Sequence, residues 1–185
     1  MTAIVGLLVV VVLVVVTAVS CTGSAEAQYG PVTTYDLDTY YSVRFGAPPG
    51  WHVYQETRHA RVLLLPEGET RSAKDYDIDI DAAVQGRSNK NLTHIAIFLD
   101  CLDGESTGDD NPDMINGWQA FETVQDGSAE RDYTMNILTA KRPDLKCRVG
   151  LPIVQAVDGA HGDRAPLTAV DTARTQLLPQ LEMLP

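Results

Sequence analysis

Asp132-Tyr133-Thr134-Met135-Asn136-Ile137-Leu138-Thr139 alternates in character with a period of two. Tyr133, Met135, Ile137 and Thr139 share one face, and Asp132, Thr134 and Asn136 share the other. Side chains of a strand point alternately to its two sides, so this is the pattern of a β-strand with one drier face. The same reading extends outward in both directions. Upstream, residues 118–124 form a further strand candidate, and Ile95, Ile97, Leu99 and Cys101 share a face before it. Ile78, Ile80, Ala82 and Val84 alternate with Asp77, Asp79 and Asp81, which predicts a strand with a solvated acidic face. Residues 61–65 are short and apolar, and Tyr41, Val43 and Phe45 begin the series. Downstream, Cys147, Val149, Leu151 and Ile153 complete it, with Pro152 pointing to an edge position.

Six or seven strands in succession, each with one wet and one dry face, predict an antiparallel sheet covered on one side. Turn signals fall between them at Ala47-Pro48-Pro49-Gly50, Pro66-Glu67-Gly68, Asp126-Gly127 and Arg142-Pro143-Asp144. Residues 103–117 and 158–166 read as loops. Residues 35–40 and 71–75 could each add a short helical turn. The C-terminus changes period. Thr168 with Asp171 resembles a capping box, and Val170, Ala173, Leu177, Leu181 and Leu184 then recur at helical spacing, with Pro179 as a kink. The expected fold class is therefore α+β: an antiparallel sheet of six to seven strands flanked by helices, one of them C-terminal.

The beginning of the chain reads differently. No charge occurs between Ala3 and Val19, and residues 7–16 are wholly aliphatic. Such a segment is long enough to enter a bilayer. It ends in Thr17-Ala18-Val19-Ser20-Cys21, which resembles the lipobox of bacterial lipoproteins, with small residues ahead of an obligatory Cys. The thiol of that Cys carries the diacylglyceryl group. Two departures stand against the match: Ala18 where Leu is usual, and no Lys or Arg before Arg44. An uncleaved anchor and an ordinary secretory signal remain alternatives, and all three export the domain. The small, polar residues 22–31 read as a tether. The expected organisation is a signal peptide over 1–20, a tether over 21–34 and one domain over 35–185. The expected location is the cell membrane, lipid-anchored through Cys21 and facing the extracytoplasmic side.

Three cysteines occur in the chain. With Cys21 lipidated, Cys101 and Cys147 are left as a pair in an oxidising compartment. A bridge between them closes a loop of about 47 residues, worth roughly 4 kcal/mol on chain-entropy grounds. The formal net charge of −11 repels phosphate backbones and excludes nucleic acid as a partner. The expected partners are the membrane, through the anchor, and a protein or small molecule of unknown identity.

Tyr41-Ser42-Val43-Arg44-Phe45 with Pro49-Gly50-Trp51, and Gly117-Trp118-Gln119-Ala120-Phe121 followed by Tyr133-Thr134-Met135-Asn136-Ile137, resemble the Mog/PsbP-like group of small domains. That group includes bacterial lipoproteins. The resemblance covers residues 40–185 in layout. It implies a sheet flanked by helices and no catalysis.

Three further patterns carry possible chemistry. Gly104-Glu105-Ser106-Thr107-Gly108 matches the Gly-x-Ser-x-Gly elbow of hydrolases, with Asp158 and His161 downstream in the right order. The elbow requires a helix directly after the Ser, and Asp109-Asp110-Asn111-Pro112-Asp113 follows instead. The acidic stretch from Asp100 to Asp113 offers oxygen ligands for Ca²⁺. It departs from the EF-hand pattern, with Met114 where Gly is required and Ala120 where the bidentate Glu belongs. His52, His59 and His94 lack ligand spacing, and Trp51 and Trp118 read as core residues. The sequence thus favours a non-enzymatic binding or envelope-support domain without cofactor or metal. A serine hydrolase using Ser106 and a Ca²⁺-dependent interaction module are the alternatives.

Overall fold

The computed structural model describes residues 28–56, 61–84, 90–100, 112–126, 133–142, 144–145, 150–161 and 167–184. Strands β1 (Val32–Asp36) and β2 (Ser42–Gly46) form a three-stranded antiparallel sheet with β10 (Glu182–Leu184), in the order β1-β2-β10. The second sheet has seven strands. They are β3 (Trp51–Glu56), β4 (Arg61–Pro66), β5 (Leu92–Asp100), β6 (Asp113–Ile115), β7 (Trp118–Asp126), β8 (Tyr133–Lys141) and β9 (Leu151–His161). Their order is β3-β4-β5-β9-β8-β7-β6, and every neighbour pair is antiparallel. Helix α1 (Ala73–Val84) joins β4 to β5, and α2 (Thr168–Thr172) runs into a π-helical turn over Ala173–Leu177.

The sheet faces are set by strand parity. Val62, Leu64, Ile95, Ile97, Trp118, Ala120, Leu138, Ala140, Val154 and Ala156 point to one side. There they form the main core with Val170, Ala173, Leu177 and Leu181 from the C-terminal segment and with Val43 and Phe45 from β2. Leu63, Leu65, Leu92 and Ala96 point to the other side and meet Tyr76 of α1 in a smaller cluster. The order of layers is α1, seven-stranded sheet, then α2 with the three-stranded sheet. Strands dominate, so the fold is mainly β rather than a clear α+β, although the antiparallel sheet and the C-terminal helix are both present.

Several expectations are corrected. The stretch with Asp77, Asp79 and Asp81 is helix α1, not a strand. Local capping overrides its alternation. Ser72 Oγ accepts the Asp75 N–H at 3.1 Å and donates to the Asp75 carboxylate at 2.6 Å. This reciprocal pair nucleates a helix start. Tyr76 and Ile80 then face the sheet four residues apart. Residues 32–36, placed partly in a tether and partly in a helical turn, are strand β1. Strand β3 was not anticipated beyond the turn ahead of Trp51. Residues 158–161 belong to β9, not to a loop. Pro152 sits in a central strand. It is tolerated because pairing with β8 begins only at Ile153, so its missing N–H faces no ladder on that side. Within the expected 103–117 loop, β6 and β7 form a hairpin on Asn116-Gly117, both with positive φ of 47° and 82°. Asn-Gly is the preferred pair for a two-residue hairpin loop. Finally, the C-terminal helix stops before Pro179, and Leu184 lies in β10.

Candidate functional site

The two faces of the seven-stranded sheet are furnished differently. On the α2 side lies one buried carboxylate, Asp158 of β9. Its oxygens accept the backbone N–H groups of Ala169 and Val170 at 2.8 and 3.0 Å. The first-turn amides of a helix have no partner within the helix, so this side chain caps α2 from the sheet. Thr168 and Asp171 make no such cap: the N-cap position is Leu167, without a side-chain bond. Burial raises the Asp158 pKa, and the two amides pull it back only in part.

Asp158 and His161 therefore do not form a dyad. Three residues apart on one strand, they project to opposite faces. His161 lies instead edge-on to Tyr133, with ring centroids 5.0 Å apart. Ser106 is outside the described residues, as are Cys21, Cys101, Cys147, His59 and the acidic segment 101–111. Asp100, next to Cys101, and Leu151, four residues after Cys147, are register partners across β5 and β9. Trp51 and Trp118 are both buried in the main core. Among the described residues, no group of three or more His, Cys, Asp or Glu side chains is placed to hold a metal.

On the α1 side the sheet divides in two. Over β4 and β5, α1 holds down a network of charges. Arg71 is its hub. Its Nε donates to Glu69 at 2.9 Å, its Nη1 to Asp79 at 3.1 Å, and its guanidinium lies 4.3 Å over the Tyr76 ring. Lys90 donates to both Asp79 oxygens at 3.0 Å, and Arg61 pairs with Asp77. Burial opposes ionisation of Asp79, but Lys90 and Arg71 outweigh it and hold the carboxyl below its ordinary range. The Arg71 hydrogen bonds do the same for Glu69. So Asp77 and Asp79 tie α1 down instead of facing solvent along a strand. Beneath them the Tyr76 hydroxyl donates to the Thr93 carbonyl at 2.8 Å and accepts the Thr93 N–H at 2.6 Å. His94 lies beside it, 3% exposed.

Over β8 and β7 no described element covers the same face, while Ile153 and Val157 of β9 are buried beside them. Register places Gln155, Thr139 and Phe121 in one row, and Val157, Ile137 and Thr123 in the next. Met135 follows below, and Lys141 with Gln119 and Met114 above. Phe121, Met135, Ile137 and Lys141 are half-buried, and Met114 is 61% exposed. Lys141 Nζ stands 5.2 Å from the Phe121 ring centroid. This open half combines aliphatic, aromatic, amide, hydroxyl and one ammonium group. Among the described residues it offers contact chemistry and no arranged nucleophile and base.

The sequence reading missed this division. Alternation assigns residues 77–84 to the sheet and leaves 71–75 as a short helical turn, so the helix that covers one half of a face, and defines the other as open, does not emerge from it. The signal was present in Ser72-x-x-Asp75. Comparison of the chain with family models, with curated proteins and with solved structures finds no match.

Proposed function

We propose that the chain is an exported, lipid-anchored domain that binds a protein or small molecule without catalysis, on the β7–β8 part of the α1-side face. The observation that supports this reading most is the asymmetry of one sheet. Its α2 side is sealed by a continuous core, whereas on the α1 side burial among the described residues reaches from β4 and β5 to Ile153 and Val157 of β9 and gives way to half-buried and exposed side chains over β8 and β7. Half-buried aromatic and aliphatic side chains interspersed with polar ones are the usual furniture of a recognition surface. A sheet with a helix on each side also suits the Mog/PsbP-like resemblance. The anchor at Cys21 and the Cys101–Cys147 bridge belong to the same proposal. The bridge is supported by the pairing of Asp100 with Leu151.

The dye 1-anilinonaphthalene-8-sulfonate, apolar with one negative charge, probes the face directly. Saturable binding of one dye at pH 7 is expected, and Ile137→Glu should abolish it while the fold persists. An absence of binding, or binding untouched by that change, removes the face from consideration. Mass spectrometry of the membrane-extracted chain tests the anchor: an unmodified Cys21 thiol defeats it.

A further inference from the structure

His94 stands at the seam between the covered and open halves of the α1-side face. Its register partner on β9 is Val157, itself buried at the margin of the open half. Above it Tyr76 of α1 meets the imidazole edge-on, with centroids 5.5 Å apart and planes at 74°. The ring is buried, and its Nδ1 has no hydrogen-bond partner among the described residues. Every element around it contributes its own groups. Arg61 comes from β4, Glu69 and Arg71 from the segment ahead of α1, and Tyr76, Asp77 and Asp79 from α1 itself. Lys90 comes from the approach to β5 and Tyr133 from β8, while β9 offers only Val157. The three carboxylates are already engaged: Asp77 by Arg61, Glu69 by Arg71, and Asp79 by Arg71 and Lys90. A charged imidazole would enter a dry site beside two guanidinium groups.

We infer that His94 is an acid-sensitive latch beneath α1: proton uptake by its imidazole releases α1 from β4 and β5 while the rest of the sheet stays closed. The release is local because the apolar cluster under α1 is small, whereas β8 and β9 are held by the main core on the other side. Burial, then Arg61 and Arg71, lower the pKa of the closed imidazole from 6.5 to about 3. The latch is therefore fully set above pH 6.5 and loses its contribution as pH falls from there toward 3. Glu69 and Asp79 are held below the ordinary carboxylate range, Glu69 by its Arg71 hydrogen bonds and Asp79 by Lys90 and Arg71 against the cost of burial. Opening uncovers Leu63, Leu65, Leu92 and Ala96 beside Val157, which enlarges the open face. That consequence rests on the binding reading above; the opening does not.

Hydrogen exchange on the full chain in detergent micelles, corrected for intrinsic rates, measures the opening. Between pH 7 and pH 5 the α1 opening constant should rise about 25-fold, as expected for a group with an ordinary pKa of 6.5 in the open state. Protection of β8 and β9 should not change. In His94→Gln the rise should vanish. A pH-independent α1, an equal rise in the variant, or loss of all strands together overturns the latch. If His94→Gln does not fold, the wild-type imidazole resonances decide. A ring that stays neutral to pH 5 in the closed molecule supports the latch, and a native-state midpoint near 6.5 overturns it. Dye binding at pH 7 tests the binding face separately.

Discussion

Leu138 and Ile137 are neighbours on β8, yet they live in different surroundings. Leu138 is fully buried against α2 in the main core, and Ile137 is half-buried on the open half of the α1 side. One strand thus serves two purposes, and the difference separates what holds the fold from what is left to meet a partner. Burial on the α2 side carries the stability. The α1 side is held by a small apolar cluster and polar links under α1, and beyond β9 the described side chains, Tyr133 apart, are half-buried or exposed. Unfolding free energies of variants at adjacent residues therefore report the two faces separately. Leu138→Ala should cost about 3 kcal/mol, from lost transfer energy and an unfilled cavity. Ile137→Ala should cost about 1 kcal/mol, because much of its surface is already in water. Urea unfolding of the two variants measures the gap; equal costs would mean that the face is not open.

The single buried charge on the α2 side comes next in size. Removing Asp158 leaves two buried amides at the start of α2 without an acceptor. Asp158→Ala should lower stability by about 2–3 kcal/mol. Asp158→Asn keeps an acceptor and removes a charge whose ionisation burial disfavours, so it should cost about half as much. The sign follows from the raised pKa: ionising Asp158 works against folding, so its contribution is full below its ordinary value of 3.8 and is lost as pH rises from there through the raised one. An Asp158→Asn variant as unstable as Asp158→Ala would show that the charge itself holds α2.

On the α1 side the corresponding link is Tyr76. Its hydroxyl both donates to and accepts from the Thr93 backbone, and burial raises its pKa, so it stays a neutral phenol. Tyr76→Phe keeps the ring against Arg71 and His94 and deletes only those bonds. A loss of about 1–2 kcal/mol is expected, with exchange quickening at Thr93 and along α1 but not in β8. Faster exchange throughout the sheet would contradict the separation of the two faces.

The face pattern was largely legible in the sequence, because period-two alternation depends only on which side chain is apolar. The strands at 42–46, 92–100 and 133–141 follow it, while 61–66 is marked by a short apolar run and 118–126 is a further candidate. The rest depended on partners distant in sequence. Alternation across Asp77 to Asp81 fits a strand as well as a helix face. What decides is the Ser72–Asp75 cap together with Arg61, Arg71 and Lys90 reaching in from outside the segment. The start of α2 was placed correctly but for the wrong reason: Thr168 and Asp171 do not cap it, and Asp158, from the preceding strand, does. Leu177 and Leu184 share helical spacing, yet Pro179 ends the helix and turns the chain, so that Met183 pairs with Val43. The site was the least legible part, since an open half-face is defined by where a helix stops rather than by any motif.

The smallest expected effect tests that openness most directly. Met114 stands on β6 at the margin of the open half, 61% exposed, paired with Gln119 and in the same row as Lys141. A residue that folding leaves in water contributes little to stability. Met114→Asp should therefore change the unfolding free energy by no more than about 0.5 kcal/mol. The hairpin should survive, because Asn116-Gly117 and not Met114 sets its turn. The same change places a carboxylate near Lys141 and should weaken binding of an anionic probe by offsetting that ammonium charge, an effect that salt diminishes. Stability unchanged with binding reduced is what an open recognition face requires. A large loss of stability would show that Met114 is covered in the folded chain, and the comparison between the two faces would then have to be redrawn with the β6 margin counted as core.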